Sequence, residues 1–364
     1  MKAQRFIIAG GGTGGHIFPA IAIANAIKKL MPDAEILFVG ARDKMEMEKV
    51  PQAGYNIKGL TIAGFNRSSL IKNIQLPFKL IYSFVQVSQI FTRFRPTAVI
   101  GVGGYSSFPV LRFAQSKGIP TFIHESNSFA GKSNIMLGKK ATIIFTASDG
   151  MEKFFPVKKI VVTGNPVRQS ISQQRITRSE ALKLFGLDEN KKTLLSMGGS
   201  LGAKSINEAI NKNIDVLKDN ALQLIWQTGK AYLQQAQTSS AGKKGIYVND
   251  FITQMEYAYA AADMVISRSG AMAIAELCVV KKPVLFVPYP FAAEDHQSAN
   301  ALNLVNRQAA LMIKDIDTMN KLVPTVIALS KDVDMQASLI ENIGKLGVTD
   351  ADIKIATAII DALK

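Results

Sequence analysis

Two glycine-rich turns and three histidines hold most of the chemistry open to this sequence. GGGTGGH, residues 10–16, follows the apolar run at residues 6–9, and GGSLGAK, residues 198–204, follows the run at 193–197. Glycine in such a turn lets a phosphate or sugar approach the backbone where a side chain would block it. A helix starting directly after each turn aims its open N–H groups and the positive end of its dipole at the ligand. Two such helix ends facing one cleft could hold a diphosphate leaving group without a cation.

Gly10, Gly12 and Gly15 satisfy G-x-G-x-x-G, which alone also fits a dinucleotide site. That site needs an acid at the end of the second strand to bind ribose. Here the strand ends Phe38, Val39, Gly40, Ala41, Arg42, with no acid before Asp43. The third glycine turn, GVGGY at residues 101–105, reads by itself as a tight strand-to-helix connection.

His16 closes the first turn, His124 precedes Glu125, and His296 lies in EDHQ. None has a histidine partner at i+3 or i+4, so no zinc site is expected. The Asp-x-Asp stretches at 315–317, 332–334 and 350–352 fall late in the chain and read as solvated faces rather than a metal site. Arg268, Ser269, Gly270 and Ala271 follow an apolar strand, and Glu276 stands six residues after Gly270. If a helix starts near Ala271, Glu276 sits about one and a half turns in. There a carboxylate can accept both hydroxyls of a ribose.

The elements that must position these groups alternate between short β-rich runs and helical stretches. Residues 6–9, 35–39, 98–102, 121–124, 142–146 and 159–163 read as strands in the first half. Residues 193–197, 222–227, 245–249, 264–267 and 283–287 do so in the second. The spacing predicts parallel sheets in an α/β architecture, with two Rossmann-like domains meeting near Gly164, Asn165 and Pro166. A chain of 364 residues agrees with two cores. Ligand is expected beyond the carboxyl ends of the strands.

With 48% hydrophobic and 20% charged residues the composition is that of a folded protein. One cysteine, Cys278, excludes an intrachain disulfide and fits a reducing compartment. No signal peptide and no membrane span is expected. The most apolar stretch, residues 74–91, carries Gln75, Pro77, Lys79, Gln86 and Gln89 and reads as an interfacial or buried helix. The net charge is +15, and no acid occurs between Glu48 and Glu125. A one-sided basic surface seeks anionic partners. Without interleaved aromatics it does not read as a nucleic-acid platform.

Seven segments in order, GGGTGGHIFPA, GVGGYSSFP, HESNSFAG, GNPVR, MGGSLGAK, RSGAMAIAE and DHQSANA, resemble the MurG family across essentially the whole chain. These N-acetylglucosaminyltransferases complete the lipid-linked disaccharide precursor of bacterial peptidoglycan. The resemblance implies a GT-B fold of two Rossmann-like domains with parallel sheets. Residues 1–164 would face acceptor and membrane, residues 165–344 would bind UDP-GlcNAc, and residues 345–364 would form a helix packing back on the first domain.

Carried over, Thr13, Gly14 and Gly15 belong to a donor-side loop, Asn127 and Gln297 contact the donor sugar, and Arg168 and Ser200 contact the diphosphate. The Ile252 backbone reads uracil. Ala271, Met272, Ala273, Ile274, Ala275 and Glu276 hold the nucleotide, with Glu276 on the ribose. Gly103, Gly104 and Tyr105, with Arg67, Lys72 and Lys79, fall to the acceptor and membrane side. Leu201 stands where a glutamine is frequent, and Ser298 where some members have a second glutamine.

The implied reaction is an inverting, metal-independent transfer that uses no cofactor. The 4-hydroxyl of MurNAc in undecaprenyl-pyrophosphoryl-MurNAc-pentapeptide attacks the anomeric carbon of UDP-GlcNAc. His16 is the first candidate general base, since a neutral imidazole is available near pH 7, and Glu125 is the second. Expected partners are the donor, the undecaprenyl-linked acceptor, an anionic membrane surface and cell-wall synthesis proteins, without nucleic acid. The expected location is the cytoplasmic face of the bacterial inner membrane, peripherally bound, in the service of cell-wall biogenesis, shape and division. The alternatives are an epimerase-like GT-B enzyme acting on UDP-GlcNAc, which needs no basic lipid-facing surface, and a non-catalytic nucleotide-sugar-binding subunit.

Overall fold

The computed structural model describes residues 4–63, 76–292 and 295–364. They form two compact units, Met1–Arg168 with Val348–Lys364, and Gln169–Gly347.

In the first unit, strands β1 (Arg5–Ala9), β2 (Glu35–Ala41), β3 (Asn56–Leu60), β4 (Ala98–Gly101), β5 (Thr121–Glu125), β6 (Ile143–Thr146) and β7 (Ile160–Val162) make one sheet ordered β3-β2-β1-β4-β5-β6-β7. Every pairing is parallel, with Phe6 opposite Ile36 on one side and Ala98 on the other. Such a strand is covered on both faces and therefore reads as an unbroken apolar run. Alternate residues of β1 serve opposite cores. Phe6 and Ile8 pack with Ile23 and Ile27 of the helix Gly14–Leu30, while Ile7 and Ala9 pack with Val110 and Leu111. The last helix, Ala351–Asp361, sets Ile355, Ala356 and Ile359 into the same cluster as Ile23 and Ile27.

In the second unit, β8 (Lys192–Met197), β9 (Leu222–Gln227), β10 (Ile246–Asn249), β11 (Met264–Ser267), β12 (Val284–Phe286) and β13 (Leu311–Met312) form a parallel sheet ordered β10-β9-β8-β11-β12-β13. Its core gathers Leu194, Ile206, Trp226, Ile266 and Leu322.

Two strands lay outside the sequence expectation. β3, Asn-Ile-Lys-Gly-Leu, is an edge strand whose polar residues face water, so it carries no apolar run. β13 is two residues long and owes its state to pairing with β12. The helix Leu76–Phe94 buries Ser83, Val87 and Phe91 at four-residue steps. Among the described residues no helix is long and apolar enough to cross a membrane.

Candidate functional site

In the first sheet the strand order reverses between β1 and β4. Ligands of open α/β sheets bind where the order reverses, beyond the carboxyl ends of the strands. The first and third glycine turns leave the sheet at this point and pack on each other. A side chain on Gly104 would put its Cβ 2.4 Å from the Gly11 carbonyl oxygen, and both residues have positive φ. Gly103 is equally constrained, since a Cβ there would lie 2.7 Å from Cε1 of His16. The third turn is thus the floor under the His16 imidazole, beyond the plain connection its sequence implied.

His16 sits in the first turn of the helix Gly14–Leu30, half-buried, with its amide bonded to the Thr13 carbonyl. That first turn holds no acid, and the Thr13 side chain makes no capping bond. Tyr105 reaches the same place, its ring carbon 3.7 Å from the position of a Cβ on Gly12. Burial, and then the charge of Glu46, raise the Tyr105 hydroxyl above its ordinary pKa.

Glu46 was absent from the sequence reading. It is 1% exposed, and its carboxylate accepts the amides of Gly12 at 2.9 Å and Ala41 at 3.0 Å. A buried carboxylate beside a glycine turn is the signal that could have found it, but its partners lie up to 34 residues away.

Glu125 ends β5 and is 3% exposed. One oxygen accepts the backbone amide and side-chain amide of Asn127, at 3.1 and 3.2 Å, and the other accepts Gly131 N at 3.1 Å and Asn134 Nδ2 at 2.8 Å. Four donors shape residues 125–134 around one carboxylate. Asn165 donates to the Ser126 carbonyl at 3.0 Å and fastens the same loop. His124, just before it, is fully buried, and burial pushes its pKa down to about 4, with a smaller upward pull from the Gly164 carbonyl and a downward one from His16. Arg168 lays its guanidinium over the Phe18 ring.

In the second sheet the order reverses between β8 and β11. The turn after β8 holds Gly199 and the exposed Ser200 and Leu201, and a Cβ on Gly202 would lie 2.0 Å from the Thr228 carbonyl oxygen. Gln227, 4% exposed at the end of β9, joins two segments: Nε2 donates to the Gly199 carbonyl at 3.1 Å and Oε1 accepts Ile252 N at 3.0 Å. After β11 the helix Ala271–Val280 starts at Ala271, as expected. Its first turn has no acid, and Ala271, Ala273, Ile274 and Ala275 are half-exposed while Met272 is buried. Ser269 pins this start, donating to the Gln297 carbonyl at 2.8 Å while its own carbonyl accepts Asn300 Nδ2 at 3.2 Å. Gln297 Oε1 accepts the Tyr289 amide at 3.0 Å. Glu276 is 7% exposed and accepts the Tyr259 hydroxyl.

The Asp-x-Asp stretches are not uniformly solvated. Asp315 pairs with Arg268 at 2.5 Å and accepts the Ser205 hydroxyl, while Arg268 also donates to the Val287 and Pro288 carbonyls. Asp352 is 7% exposed, and burial raises its carboxyl above the usual range. Asp332 caps the helix Val333–Gly344 by accepting Met335 N. Among the described residues no cluster of three His, Cys, Asp or Glu side chains could hold a metal ion.

Of the three cationic residues assigned to the membrane side, Arg67 and Lys72 lie outside the described residues, and Lys79 is half-buried. Apolar side chains are exposed on the described part of the stretch read as an interfacial or buried helix: Phe78, Ile81, Tyr82 and Val85 are 72%, 65%, 53% and 50% exposed. Leu76 is half-buried, and residues 70–75 are outside the description.

Two parallel sheets, each with glycine turns and helix starts at its reversal point, make the pair of Rossmann-like domains of a GT-B architecture. Residues 6–146 match the glycosyltransferase family 28 N-terminal domain, and residues 193–352 match the family 28 C-terminal domain. A UDP-N-acetylglucosamine--N-acetylmuramyl-(pentapeptide) pyrophosphoryl-undecaprenol N-acetylglucosamine transferase from Phocaeicola vulgatus is 52% identical over 350 residues, 95% of this chain and 93% of that one. A Bacteroides fragilis protein of the same name is 50% identical over 362 residues, covering 98% and 95%. The crystal structure of Acinetobacter baumannii MurG matches with a TM-score of 0.79 at 25% identity, over 98% of this chain and 99% of that one. The chain belongs to the MurG family of N-acetylglucosaminyltransferases.

Proposed function

We propose that this enzyme transfers N-acetylglucosamine from UDP-N-acetylglucosamine to the 4-hydroxyl of the N-acetylmuramyl sugar of an undecaprenyl-pyrophosphoryl pentapeptide acceptor, with inversion and without a metal ion. The second unit holds the nucleotide. Ile252 meets uracil through its backbone, and because Gln227 already takes its N–H, the carbonyl is the group that receives the base N3–H. Glu276 accepts the ribose hydroxyls. Ser200, Arg168 and the amides at Ala271, Met272 and Ala273 face the diphosphate, and Asn127, Gln297 and the loop of Thr13, Gly14 and Gly15 face the donor sugar.

The acceptor oxygen forms its bond to the anomeric carbon as the bond from that carbon to the phosphate oxygen breaks. The electron pair leaves with UDP, and His16 takes the hydroxyl proton. The helix start at Ala271 stabilises the charge growing on the diphosphate. Glu125 is a loop-forming carboxylate rather than the base, because four donors already occupy its oxygens. Gly103, Gly104 and Tyr105 face the acceptor. The exposed apolar residues Phe78, Ile81, Tyr82 and Val85 of the helix Leu76–Phe94, with Lys79 on the same helix, support a reading in which the enzyme rests peripherally on an anionic membrane surface at the cytoplasmic face.

What supports this reading is a half-buried imidazole on a glycine turn of the first unit and a buried carboxylate in a small-residue helix of the second, in a chain about half identical to the named transferases. The test is direct. Full-length protein, UDP-GlcNAc and a lipid-linked muramyl acceptor in EDTA should release UDP and yield acceptor heavier by one N-acetylhexosamine. Release of UDP without that product, or turnover only after magnesium or manganese is restored, rejects the proposal.

A further inference from the structure

Glu276, assigned above to the ribose, is gripped by a second buried side chain. Tyr259 stands on the helix Met255–Ala261, is 1% exposed, and donates its hydroxyl proton to Glu276 Oε2 at 2.9 Å. On its other side the hydroxyl lies 3.7 Å from the sulfur of Met197, the last residue of β8. The two partners come from different helices, 17 residues apart.

A ribose offers its 2′- and 3′-hydroxyls side by side, so a carboxylate that accepts both must present its plane in one orientation. The terminal torsion of a glutamate is broad and defines no such plane by itself. A donor fixed inside the core does define it, and hydrogen bonds to an ionised oxygen are among the stronger ones. Tyr259 cannot shift to follow a moving carboxylate, since its ring is enclosed. Binding groups held in their bound geometry avoid the ordering cost of association.

We infer that Tyr259 is a positioning residue for the nucleotide: its hydroxyl sets the plane of the Glu276 carboxylate so that ribose meets an acceptor pair already oriented. This rests on the ribose reading of Glu276. Because the ribose lies away from the reacting carbon, the effect is the same in ground and transition states and falls on donor KM rather than on kcat.

The test uses the full-length protein and three probes, UDP, 2′-deoxy-UDP and 3′-deoxy-UDP, titrated calorimetrically. Tyr259→Phe keeps the ring and removes the hydroxyl. It should weaken UDP about tenfold, equivalent to about 1.4 kcal/mol, with kcat at saturating donor within about twofold of wild type. The further affinity lost on deleting either ribose hydroxyl should shrink in the variant, since those hydroxyls now meet a poorly oriented acceptor. Met197→Leu, which alters the packing but keeps the Tyr259 bond, should bind UDP as wild type does. Wild-type UDP affinity in a folded Tyr259→Phe protein overturns the inference. So does an equal loss for all three probes, which marks general damage to the pocket, and so does a Met197→Leu protein as weak as Tyr259→Phe. Failure of the ribose reading itself looks different: Glu276→Ala would then show the full wild-type penalty for each deoxy probe.

Discussion

Glu46 and Gly12, 34 residues apart, are joined by a 2.9 Å hydrogen bond from the glycine amide to the carboxylate. The other oxygen of Glu46 accepts the amide of Ala41 at the end of β2, so one buried side chain ties the first glycine turn to the neighbouring strand. A Cβ on Gly11 would lie 2.3 Å from the same carboxylate, which is why the turn can close over it. Glu46→Ala strands the buried N–H of Ala41 and the partly buried N–H of Gly12. The expected loss is about 1–3 kcal/mol for each buried donor left unsatisfied, with faster hydrogen exchange at Gly12 and Ala41 and reduced turnover. Exchange at those two amides that matches wild type would show that the carboxylate does not hold the turn.

His16 and Glu125 should part company under substitution. His16→Ala is expected to lower kcat by roughly 10²–10⁴, as for loss of a general base, while UDP affinity and thermal unfolding stay near wild type. Glu125→Gln turns an NH₂ toward donors that now meet an acceptor, so its effect should appear first in stability, by about 1–3 kcal/mol. Steady-state kinetics beside thermal unfolding separates the two. A stable Glu125→Gln protein with kcat down as far as in His16→Ala would return Glu125 to the chemistry.

The first unit should loosen as the medium becomes acidic, through His124. Its folded pKa of about 4 lies below the ordinary value of 6.5 because burial disfavours the charged ring. The neutral ring's contribution is fully present above about pH 6.5 and is lost as pH falls toward the folded value, when the unfolded chain binds a proton that the native one excludes. Between pH 7 and pH 5 the loss amounts to roughly 1–3 kcal/mol. Hydrogen exchange of the β5 amides at the two pH values reads it. In His124→Asn the pH-dependent part should disappear, and equal slopes in the two proteins would assign the effect elsewhere.

Attachment to lipid should depend on both charge and apolar contact. The protein is expected to sediment with vesicles containing an anionic phospholipid, to leave them as salt rises, and to bind neutral vesicles poorly, since each Lys or Arg near such a surface contributes about 1 kcal/mol. Replacing Ile81 and Val85 by serine should weaken the vesicle-bound fraction and activity on membrane-embedded acceptor, while sparing activity on a short soluble analogue. Unchanged co-sedimentation of this variant at low salt would move the membrane face to another part of the chain.

Short-range pattern made much of this protein readable from residues alone. Eleven apolar runs marked strands: nine are interior strands, which a parallel sheet covers on both faces and which must be apolar throughout, and two, β7 and β10, are edge strands that carry β-branched or aromatic residues all the same. Glycines after residues 9 and 197 and a helix start at Ala271 were legible because turn and helix ends are local in the chain. Ordered motifs such as GGGTGGHIFPA and RSGAMAIAE carried the family. β3 and β13 escaped because an edge strand and a two-residue strand owe their state to a neighbour. The pairing of buried polar groups was decided only by the tertiary structure. Glu46 with Gly12, Gln227 with Ile252 and Tyr259 with Glu276 join residues 34, 25 and 17 apart. Helical crossovers between parallel strands bring such groups together, and no periodicity records which will meet. Burial reversed the reading of Asp315 and Asp352 for the same reason: one aspartate looks like another along a chain, and whether it meets water or Arg268 depends on what folds over it.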